Sequence, residues 1–579
     1  MLSIGPFRRT SRNRRFFSAF SALAATLGLL IFATPATAAI YKVGADAACD
    51  FGDLPSALFV TLVNDIPTPT IDTIYIAGNQ SYTGEFTIQD QSVTLIGGFS
   101  SCSDPTPSGQ TTIDRPNDER NFTISNSSGQ RVSVFLHGLN LTYSGSSSGL
   151  IVTGGSVHIS GDISVSFSDT TVRDGQAISG GGIYLDASEG GRVNLNEGAS
   201  VLLNSASFGG GVLCSGGSGT ISMRDDAAVA QNFAQRGGGL YSNGCELYLT
   251  AAGFFSGVRG NEAALDGGGV YLTGSGDLFS EGGLITDNRA DRGGAIFVDG
   301  VSPVRLWDAL ISENHAVTSG GAVHAENGAF ISVQRTGVAC TDLSLCATLS
   351  GNSVDASAGG AALMLETGAY AEIFQARIAD HESPSTVIEV RDDGTLDLEG
   401  VEFVGNMAAT LVETEDTATF FAGHLSVVDN SGPDGSGPWV FHDNLGTGQS
   451  TIESSLFADD NGQVYGGMAS DPSSWRCLLL TDASMAPPSG TFYVGNPAFV
   501  DQAQRDFRLT ESSDAIDLCD DFGANPLRMD RGFNTRGVND PDHPEVNGFY
   551  DAGAFEKVDI FTDGFESGNT SAWSETVSP

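Results

Sequence analysis

The sequence predicts an all-β fold, a right-handed parallel β-helix in which one chain winds as a single-stranded solenoid with an N-terminal cap and a small C-terminal region. Two recurring motifs and their spacing predict it. Short Gly runs followed by an aliphatic strand alternate with an aliphatic or aromatic residue that is followed, three positions later, by Asn. Most successive Asn residues of this set are 24 to 29 positions apart. Several short strands per period, each stacked on its counterpart in the next, give a solenoid.

The Gly-rich half of the repeat predicts tight corners. Glycine lets the chain turn sharply and lets neighbouring backbones approach where any Cβ would obstruct them. Helix-pair repeats are excluded, because Gly pairs and β-branched residues dominate where amphipathic helices need Ala, Leu and charged residues. The seven copies occupy residues 180–183, 209–212, 237–240, 267–270, 293–296, 320–323 and 359–362.

The Asn residues predict a ladder inside one corner of the solenoid. An amide carries two donors and an oxygen with two lone pairs, so aligned Asn side chains can hydrogen-bond to one another and to the turn backbone. A catalytic site would not recur eight times, so we interpret the ladder as structural rather than ligand-binding. A degenerate copy ending at His381 divides the longest step. The ladder residues are Asn204, Asn232, Asn261, Asn288, Asn314, Asn352, Asn406 and Asn430.

Residues 1–39 predict a cleaved signal peptide. Five arginines precede an apolar run over 16–32, and Ala-Thr-Ala at 36–38 offers a small-residue cleavage site. The run is short and no stop-transfer pattern follows, so a transmembrane anchor is the weaker interpretation. The Arg-Arg-Phe-Phe run at 14–17 faintly resembles a twin-arginine signal, and the export route stays open. We therefore expect an exported protein, extracellular or at a bacterial cell surface, that is not an integral membrane protein after processing.

Residues 40–125 are predicted to form the N-terminal cap and the first coils. Asp53 is placed to N-cap a helix over 54–62, which would shield the open edge of the first coil. Cys49 and Cys102 bracket this cap, so a disulfide between them would staple it.

The cysteines predict disulfides, since compartments beyond the cytoplasmic membrane are oxidising. Sequence alone does not fix their connectivity, but residues about one solenoid turn apart are stacked, which makes a Cys214–Cys245 bond geometrically plausible. No Cys-x-x-Cys or paired Cys/His spacing occurs, so a metal site is the weaker interpretation. The neighbouring couples are Cys49 with Cys102, Cys214 with Cys245, Cys340 with Cys346, and Cys477 with Cys519.

The charge balance excludes nucleic acid as a partner. The chain carries a formal net charge of −43, and loss of the five arginines of the signal peptide takes it to −48. Phosphate binding needs clustered Lys and Arg, whereas the only lysines are Lys42 and Lys557. Such acidity favours solubility and self-repulsion between secreted molecules over a specific cation-binding role.

The repeats, predicted over 126–480, carry a family resemblance. Gly-Gly-Ala-Ile at 293–296 and Phe-Val-Gly-Asn at 403–406 resemble the repeats of the chlamydial-type polymorphic outer membrane protein family, over about 165–430. That resemblance implies a β-helical passenger that acts as an adhesin. Members of the family also carry a C-terminal outer-membrane barrel, for which the stretch after Cys477 is too short and lacks the alternating strands.

Residues 481–556 are predicted to form the small C-terminal region. It resembles the module at the end of bacterial secreted β-helix proteins of the choice-of-anchor Q type, which implies that a sorting segment follows. We expect the tail, residues 557–579, to be either such a sorting signal or a flexible end. The motifs that carry the resemblance are 496–499, 506–509, 514–517, 530–532 and 551–556.

An enzyme acting on polysaccharide is the alternative, because right-handed β-helices of the pectin-lyase-like class include lyases and hydrolases. Such chemistry needs carboxylates that converge across one groove. Adjacent residues of a strand point to opposite faces, and Gly follows both Asp392-Asp393 and Asp459-Asp460, so turns are the favoured interpretation. The loop 540–545 is interpreted as a solvated acidic loop rather than a Ca²⁺ site. His315, His324, His381 and His424 share no repeat position.

The sequence thus predicts a non-enzymatic, secreted or cell-surface β-helix scaffold, adhesin-like or structural. We expect no catalytic residues, no metal and no cofactor. The expected partner is a protein or glycan on the surface of a host or neighbouring cell. A polysaccharide lyase or glycoside hydrolase on a β-helix stays the alternative, and the oligomeric state stays open.

Overall fold

The computed structural model describes residues 38–64, 70–115, 119–145, 151–250, 257–337, 346–355, 359–435, 438–444, 449–459, 462–467, 475–520 and 529–557. All but the last two residues of the predicted signal peptide, and all but the first of the predicted tail, therefore lie outside the described residues.

The chain folds as the predicted β-solenoid, with nearly all of its strands paired in parallel. Each coil contributes strands to two ribbons of one 30-stranded sheet and to a separate 14-stranded sheet. We call these the first ribbon, the second ribbon and the third sheet. The all-β parallel β-helix expected from the sequence is confirmed.

The first ribbon opens each coil. Its strands are Ile40–Val43, Asp72–Ala77, Val93–Phe99, Val132–His137, Ile163–Ser168, Arg192–Leu195, Thr220–Met223, Glu246–Thr250, Leu278–Glu281, Pro303–Trp307, Phe330–Gln334, Tyr370–Phe374, Thr395–Glu399 and Thr419–Gly423.

The second ribbon follows after a short turn. Its strands are Tyr82–Thr83, Thr111–Arg115, Leu139–Tyr143, Thr171–Arg173, Ser200–Leu202, Ala228–Ala230, Gly257–Arg259, Leu284–Thr286, Leu310–Ser312, Thr348–Ser350, Arg377–Ala379, Glu402–Val404 and Ser426–Val428. The long strand Ser450–Ala458 pairs with both ribbons, and Arg476–Leu480 and Phe492–Val494 extend the sheet beyond it.

The third sheet closes each coil. Its strands are Phe86–Gln89, Phe122–Ser125, Val157–Ser160, Ile183–Asp186, Val212–Ser215, Leu240–Asn243, Val270–Thr273, Ile296–Asp299, Val323–Glu326, Leu363–Leu365, Thr386–Val390, Thr410–Glu415, Trp439–Asn444 and Gln463–Gly467. A five-stranded sheet precedes it in the middle coils, formed by Phe233–Arg236, Glu262–Asp266, Arg289–Arg292, His315–Ser319 and Ser353–Val354.

Alternation along the strands fills the interior. Ile163, Val165 and Phe167 of one strand are buried, whereas the serines between them are only partly buried. Register places like on like, since Val165 pairs with Val134 on one side and Val193 on the other. The result is one continuous apolar core along the rod.

The Gly-rich corners bring successive coils into backbone contact. A Cβ on Gly181 would lie 2.4 Å from the carbonyl oxygen of Gly210 in the next coil. Gly237, at the start of another copy, adopts a φ of +65°, which disfavours residues with a Cβ. These corners therefore accept only glycine at such positions.

A helix closes the first coil. Leu54–Asn64 contacts the strands Ile40–Val43, Asp72–Ala77 and Phe86–Gln89, and buries Leu54, Ala57, Leu58 and Thr61. Asp53 caps it, since its carboxylate accepts the backbone N–H of Ser56 at 2.8 Å. The helix begins at the predicted residue and runs two residues further.

The C-terminal region packs on the outside of the second ribbon. Phe507, Ile516 and Phe555 join one hydrophobic cluster with Val404 and Val428 of the ribbon. Its own secondary structure is slight: an antiparallel pair, Phe499–Asp501 with Asp506–Leu509, and the 3₁₀ turn Gln502–Gln504. Another 3₁₀ turn, Ala483–Met485, precedes it. We call residues 495–557 the C-terminal module.

No helix within the described ranges is both long and apolar enough to cross a bilayer.

Candidate functional site

The eight predicted ladder residues lie in one row at the corner after the second ribbon. The Oδ1 of Asn232 accepts hydrogen bonds from the backbone N–H and the Nδ2 of Asn204, both at 3.0 Å. The Nδ2 of Asn204 also donates to the carbonyl of Val172 at 3.1 Å. The same pattern repeats to Asn352, and the eight side chains are between 0% and 4% exposed. The hydrogen-bonding groups of this row are thus used within the fold.

Two other residue types occupy ladder positions. His381 stands between Asn352 and Asn406, where its Nδ1 accepts from the backbone N–H of Asn352 at 3.2 Å and its Nε2 donates to the carbonyl of Leu349 at 3.0 Å. Complete burial lowers the pKa of His381 to about 4. The ring is therefore uncharged near neutral pH, and its two nitrogens replace the acceptor and the donor of an Asn side chain.

Asp459 also occupies a ladder position. The sequence favoured a turn for the Asp459–Asp460 pair; Asp459 is 2% exposed and its Oδ1 accepts the backbone N–H of Asn430 at 2.8 Å. It continues the ladder after the last Asn, because a carboxylate supplies the acceptor that Asn430 needs. Asp460 lies outside the described residues.

Three disulfides are present, and each joins one of the neighbouring couples whose connectivity the sequence left open: Cys49–Cys102, Cys214–Cys245 and Cys477–Cys519. Cys346 is disulfide-bonded, and its expected partner Cys340 lies outside the described residues. Bonds of this kind form and persist in an oxidising compartment.

The other acidic candidates serve local structure. Asp392 lies in a turn at a φ of +54°, and its carboxylate accepts the backbone N–H of Thr367 at 3.2 Å. In the loop 540–545 the side chain of Asp540 is buried, accepts the backbone N–H of Asp542 and contacts His543 at 3.1 Å.

A charged cluster that sequence analysis did not single out lies along the third sheet and the five-stranded sheet that precedes it. Arg292 bridges two carboxylates, with Nε 2.8 Å from Asp266 and Nη1 3.2 Å from Glu326. Further along the rod, Arg391 lies 3.6 Å from Glu366 and also contacts Glu389 and Glu415. We call the following six residues the lateral row: Asp266, Arg292, His324, Glu326, Glu366 and Arg391.

His324 lies at the centre of the lateral row. Its Nε2 is 3.5 Å from an oxygen of Glu326 and 3.5 Å from an oxygen of Glu366, while its Nδ1 lies 2.8 Å from the hydroxyl of Ser319. Burial alone would lower the pKa of His324, but the two carboxylates outweigh burial and raise it. The imidazole also lowers the pKa of Glu326 and of Glu366. The three side chains are thus electrostatically linked.

An aromatic column holds His324 in place. The rings of Tyr241, Tyr271, Phe297 and His324 stack on successive coils, with centroids 4.9 to 5.4 Å apart. The guanidinium of Arg292 lies 4.5 Å from the ring centre of Phe297 and covers it. This packing sets the orientation of the imidazole ring.

An acidic patch occupies the outer side of the first ribbon. Register places Glu372 beside Asp397 on the neighbouring strand, and Glu399 follows Asp397 on the same face. Burial, together with the charges of Glu399 and Glu372, raises the pKa of Asp397 to about 6. The next residue in this column is Phe421, which is 40% exposed.

The C-terminal module is fastened to the second ribbon by a buried charge triad. Glu402 accepts two hydrogen bonds from Arg377, both at 3.1 Å, and forms an ion pair with Arg531 of the module. Glu402 and Arg531 have no exposed surface. The Asp-Arg-Gly motif at 530–532, which carries part of the resemblance noted above, therefore serves docking.

No protein-family model matches the chain, and no curated protein matches it significantly.

The lateral row was missed because its members align only once the coils are superposed. Glu326 and Glu366 are 40 positions apart, across a coil lengthened by the segment that includes residues 338–345. The available signal was a repeated acidic residue at the end of the third-sheet strands: Asp299 and Glu326 are the last residues of their strands, and Glu366 directly follows Leu363–Leu365.

Proposed function

We propose that this chain is an exported, non-enzymatic β-helix scaffold at the cell surface, adhesin-like or structural, that binds a protein or glycan of a host or neighbouring cell. The observation that carries the proposal is the lateral row: fixed charges of both signs on one side of a rigid rod. Arg292 and Arg391 are 34% and 29% exposed, and Glu326 and Glu366 are 19% and 24% exposed. Such pre-organised charges favour specific recognition, because little side-chain freedom is lost on binding.

Three further features support export and surface display. The disulfides fit an oxidising compartment. The segment 1–39 has the composition of a signal peptide. The repeats and the C-terminal module resemble the polymorphic outer membrane protein and choice-of-anchor Q types, and we propose that the tail sorts the protein to the surface.

Cell binding tests the recognition surface. We expect the fluorescently labelled mature chain to bind cells saturably and Arg391→Gln to weaken that binding. Arg305→Gln is the matched control. Arg305 lies on the first ribbon, is 36% exposed and forms an ion pair with Asp277. Equal binding by both variants, or binding that never saturates, would exclude the lateral row as the recognition surface.

Fractionation tests surface display. We expect the wild-type protein in the cell-surface fraction and a chain lacking residues 559–579 in the medium. If both proteins appear in the same fraction, the tail is not a sorting signal.

A polysaccharide hydrolase is the second candidate, and the acidic patch favours it. A carboxyl group with a raised pKa is suited to act as a general acid when a second carboxylate lies near, and an exposed aromatic ring can stack against a sugar. Asp397 would be the acid, Glu372 the second carboxylate and Phe421 the stacking ring. Incubation with acidic and neutral polysaccharides separates the candidates: reducing ends that Asp397→Asn abolishes and Asp393→Asn retains would establish hydrolysis and overturn the non-enzymatic proposal.

A further inference from the structure

His324, Glu326 and Glu366 bring three metal-ligand atoms together at the centre of the lateral row. The three atoms, one imidazole nitrogen and two carboxylate oxygens, all lie within 4.8 Å of one another. The nitrogen is 3.5 Å from each oxygen. A tetrahedral ion with bonds of about 2.1 Å separates its ligand atoms by about 3.4 Å. The two nitrogen-to-oxygen distances therefore match edges of a metal tetrahedron, and the two carboxylate oxygens lie within 4.8 Å of each other.

The Nε2 of His324 is buried and makes no hydrogen bond to the described residues. His324 as a whole is 1% exposed. A charge-assisted hydrogen bond to a carboxylate is about 2.7 to 2.9 Å long, so a separation of 3.5 Å is too great for one. A buried nitrogen that makes no hydrogen bond costs free energy. An ion between the nitrogen and the two oxygens would supply the partner that the nitrogen lacks.

The orientation of the ring suits metal ligation. The Nδ1 of His324 lies 2.8 Å from the hydroxyl of Ser319, which can accept a hydrogen bond from Nδ1–H in the tautomer that leaves the lone pair on Nε2. Histidine ligands of metals are usually held through their other ring nitrogen in this way. The stacked ring of Phe297 fixes the ring plane, with centroids 4.9 Å apart. Ser319 is thus a positioning residue.

The surrounding charge fits a divalent cation. The guanidiniums are those of Arg236, Arg292 and Arg391, and the carboxylates that pair with them are those of Asp266, Glu326, Glu366, Glu389 and Glu415. Three positive charges stand against five negative ones. With a neutral imidazole the network keeps an excess of two negative charges, which one divalent ion neutralises.

We propose that His324, Glu326 and Glu366 form a zinc-class metal site with a fourth position open to solvent. One nitrogen and two carboxylate oxygens suit Zn²⁺, whereas Ca²⁺ and Mg²⁺ favour sites of oxygen ligands alone. Three protein ligands leave room for water or for a group of a bound partner. Glu326 and Glu366 are partly exposed, so solvent reaches these two ligands. This site goes beyond the proposed scaffold function and does not depend on it.

Zinc titration of the metal-stripped mature chain, in physiological salt with excess Mg²⁺, tests the proposal. We expect one Zn²⁺ per chain. Glu326→Gln and Glu366→Gln should each weaken binding at least ~10-fold, since loss of even an outer partner of a ligand costs 10- to 100-fold. Glu413→Gln is the matched control: Glu413 lies on the same sheet 3.3 Å from His442, but no third ligand joins that pair among the described residues. This control should bind as the wild type does.

Replacement of zinc by Co²⁺ gives an absorption spectrum that reports on the metal ligands themselves rather than on whether the chain is folded. Tetrahedral Co²⁺ absorbs visible light strongly, so wild type and Glu413→Gln should show the band and Glu366→Gln should lack it. Circular dichroism of each variant verifies that the chain stays folded. Unchanged zinc affinity in folded Glu326→Gln and Glu366→Gln, or displacement of zinc by equimolar Ca²⁺, would overturn the proposal.

Discussion

Glu402 on the second ribbon forms a fully buried ion pair with Arg531 of the C-terminal module. The same carboxylate accepts two hydrogen bonds from Arg377 of the ribbon, so a single acidic residue holds one arginine of the rod and one of the module. Around this triad, Phe507 and Phe555 contribute apolar contacts. The module is therefore an integral part of the rod's C-terminal half.

Loss of the Glu402 carboxylate should weaken the packing of the C-terminal module against the second ribbon. Glu402→Gln leaves Arg377 and Arg531 buried without a carboxylate, and breaking a buried pair in this way costs about 3 to 5 kcal/mol. Chemical denaturation should show the lower stability. Asp380→Asn is the control, since its ion pair with Arg505 is 42% exposed on both sides and should contribute less than about 1 kcal/mol. Equal effects of the two variants would contradict the triad's role.

Reduction of the Cys477–Cys519 bond should loosen the same module. The bond closes a loop of 42 residues between the last coils and the module, for which loop entropy predicts about 3 to 4 kcal/mol. We expect limited proteolysis of Cys477→Ser/Cys519→Ser to cut within 481–557 while the solenoid stays intact. The Cys214→Ser/Cys245→Ser variant, which loses a bond inside the rod, should leave the module resistant. Cleavage of the module in both variants would argue against this assignment.

An interruption of the Asn ladder should cost more than a surface change. Asn288→Ala removes the acceptor for the backbone N–H and the Nδ2 of Asn261 and the donor to the carbonyl of Val258. Unsatisfied buried groups cost about 1 to 3 kcal/mol each, so we expect a loss of at least about 2 kcal/mol in urea denaturation. The exposed Asn243, changed to Ala, should alter stability by less than about 0.5 kcal/mol. A comparable loss in the two variants would refute the ladder's contribution.

His381 should make the fold sensitive to acid. Its pKa is about 4 in the folded chain and about 6.5 when unfolded, so only the unfolded state takes up the proton as pH falls between these values. The free energy of unfolding is therefore unaffected by this group above pH ~6.5 and falls by about 3 kcal/mol between pH ~6.5 and pH ~4. His381→Asn, which restores the ladder amide, should lose less stability over that range. Identical pH profiles for variant and wild type would contradict this mechanism.

The repeat made the coils and their corners predictable from sequence. Gly181 and Asn232 each serve a backbone requirement that recurs in successive coils of the repeat region, so their spacing reveals the period. Of the two ladder positions that lack Asn, only the one at His381 was recognisable from the sequence, because His381 falls at the expected spacing. Asp459 lies beside an acidic neighbour and before Gly462, and this composition is also that of a turn.

Contacts between different coils or different regions were not predictable. The alignment of Glu326 with Glu366 depends on the length of an irregular coil, which the repeat does not specify. The pair of Glu402 and Arg531 joins the repeat to a segment outside it, so no periodicity relates the two residues. Such contacts depend on register and docking, which local sequence does not encode.

The distance between spin labels along one stacked column tests the central claim, that each coil lays like residues over like. Leu202, Thr286, Ser312 and Ser350 occupy equivalent positions, three, four and five coils from Leu202. With labels on introduced cysteines, pulsed electron resonance from position 202 to each of the others should give distances that increase by about 4.8 Å per coil. Distances that instead follow sequence separation, or that fail to increase in equal steps, would contradict the stacked solenoid.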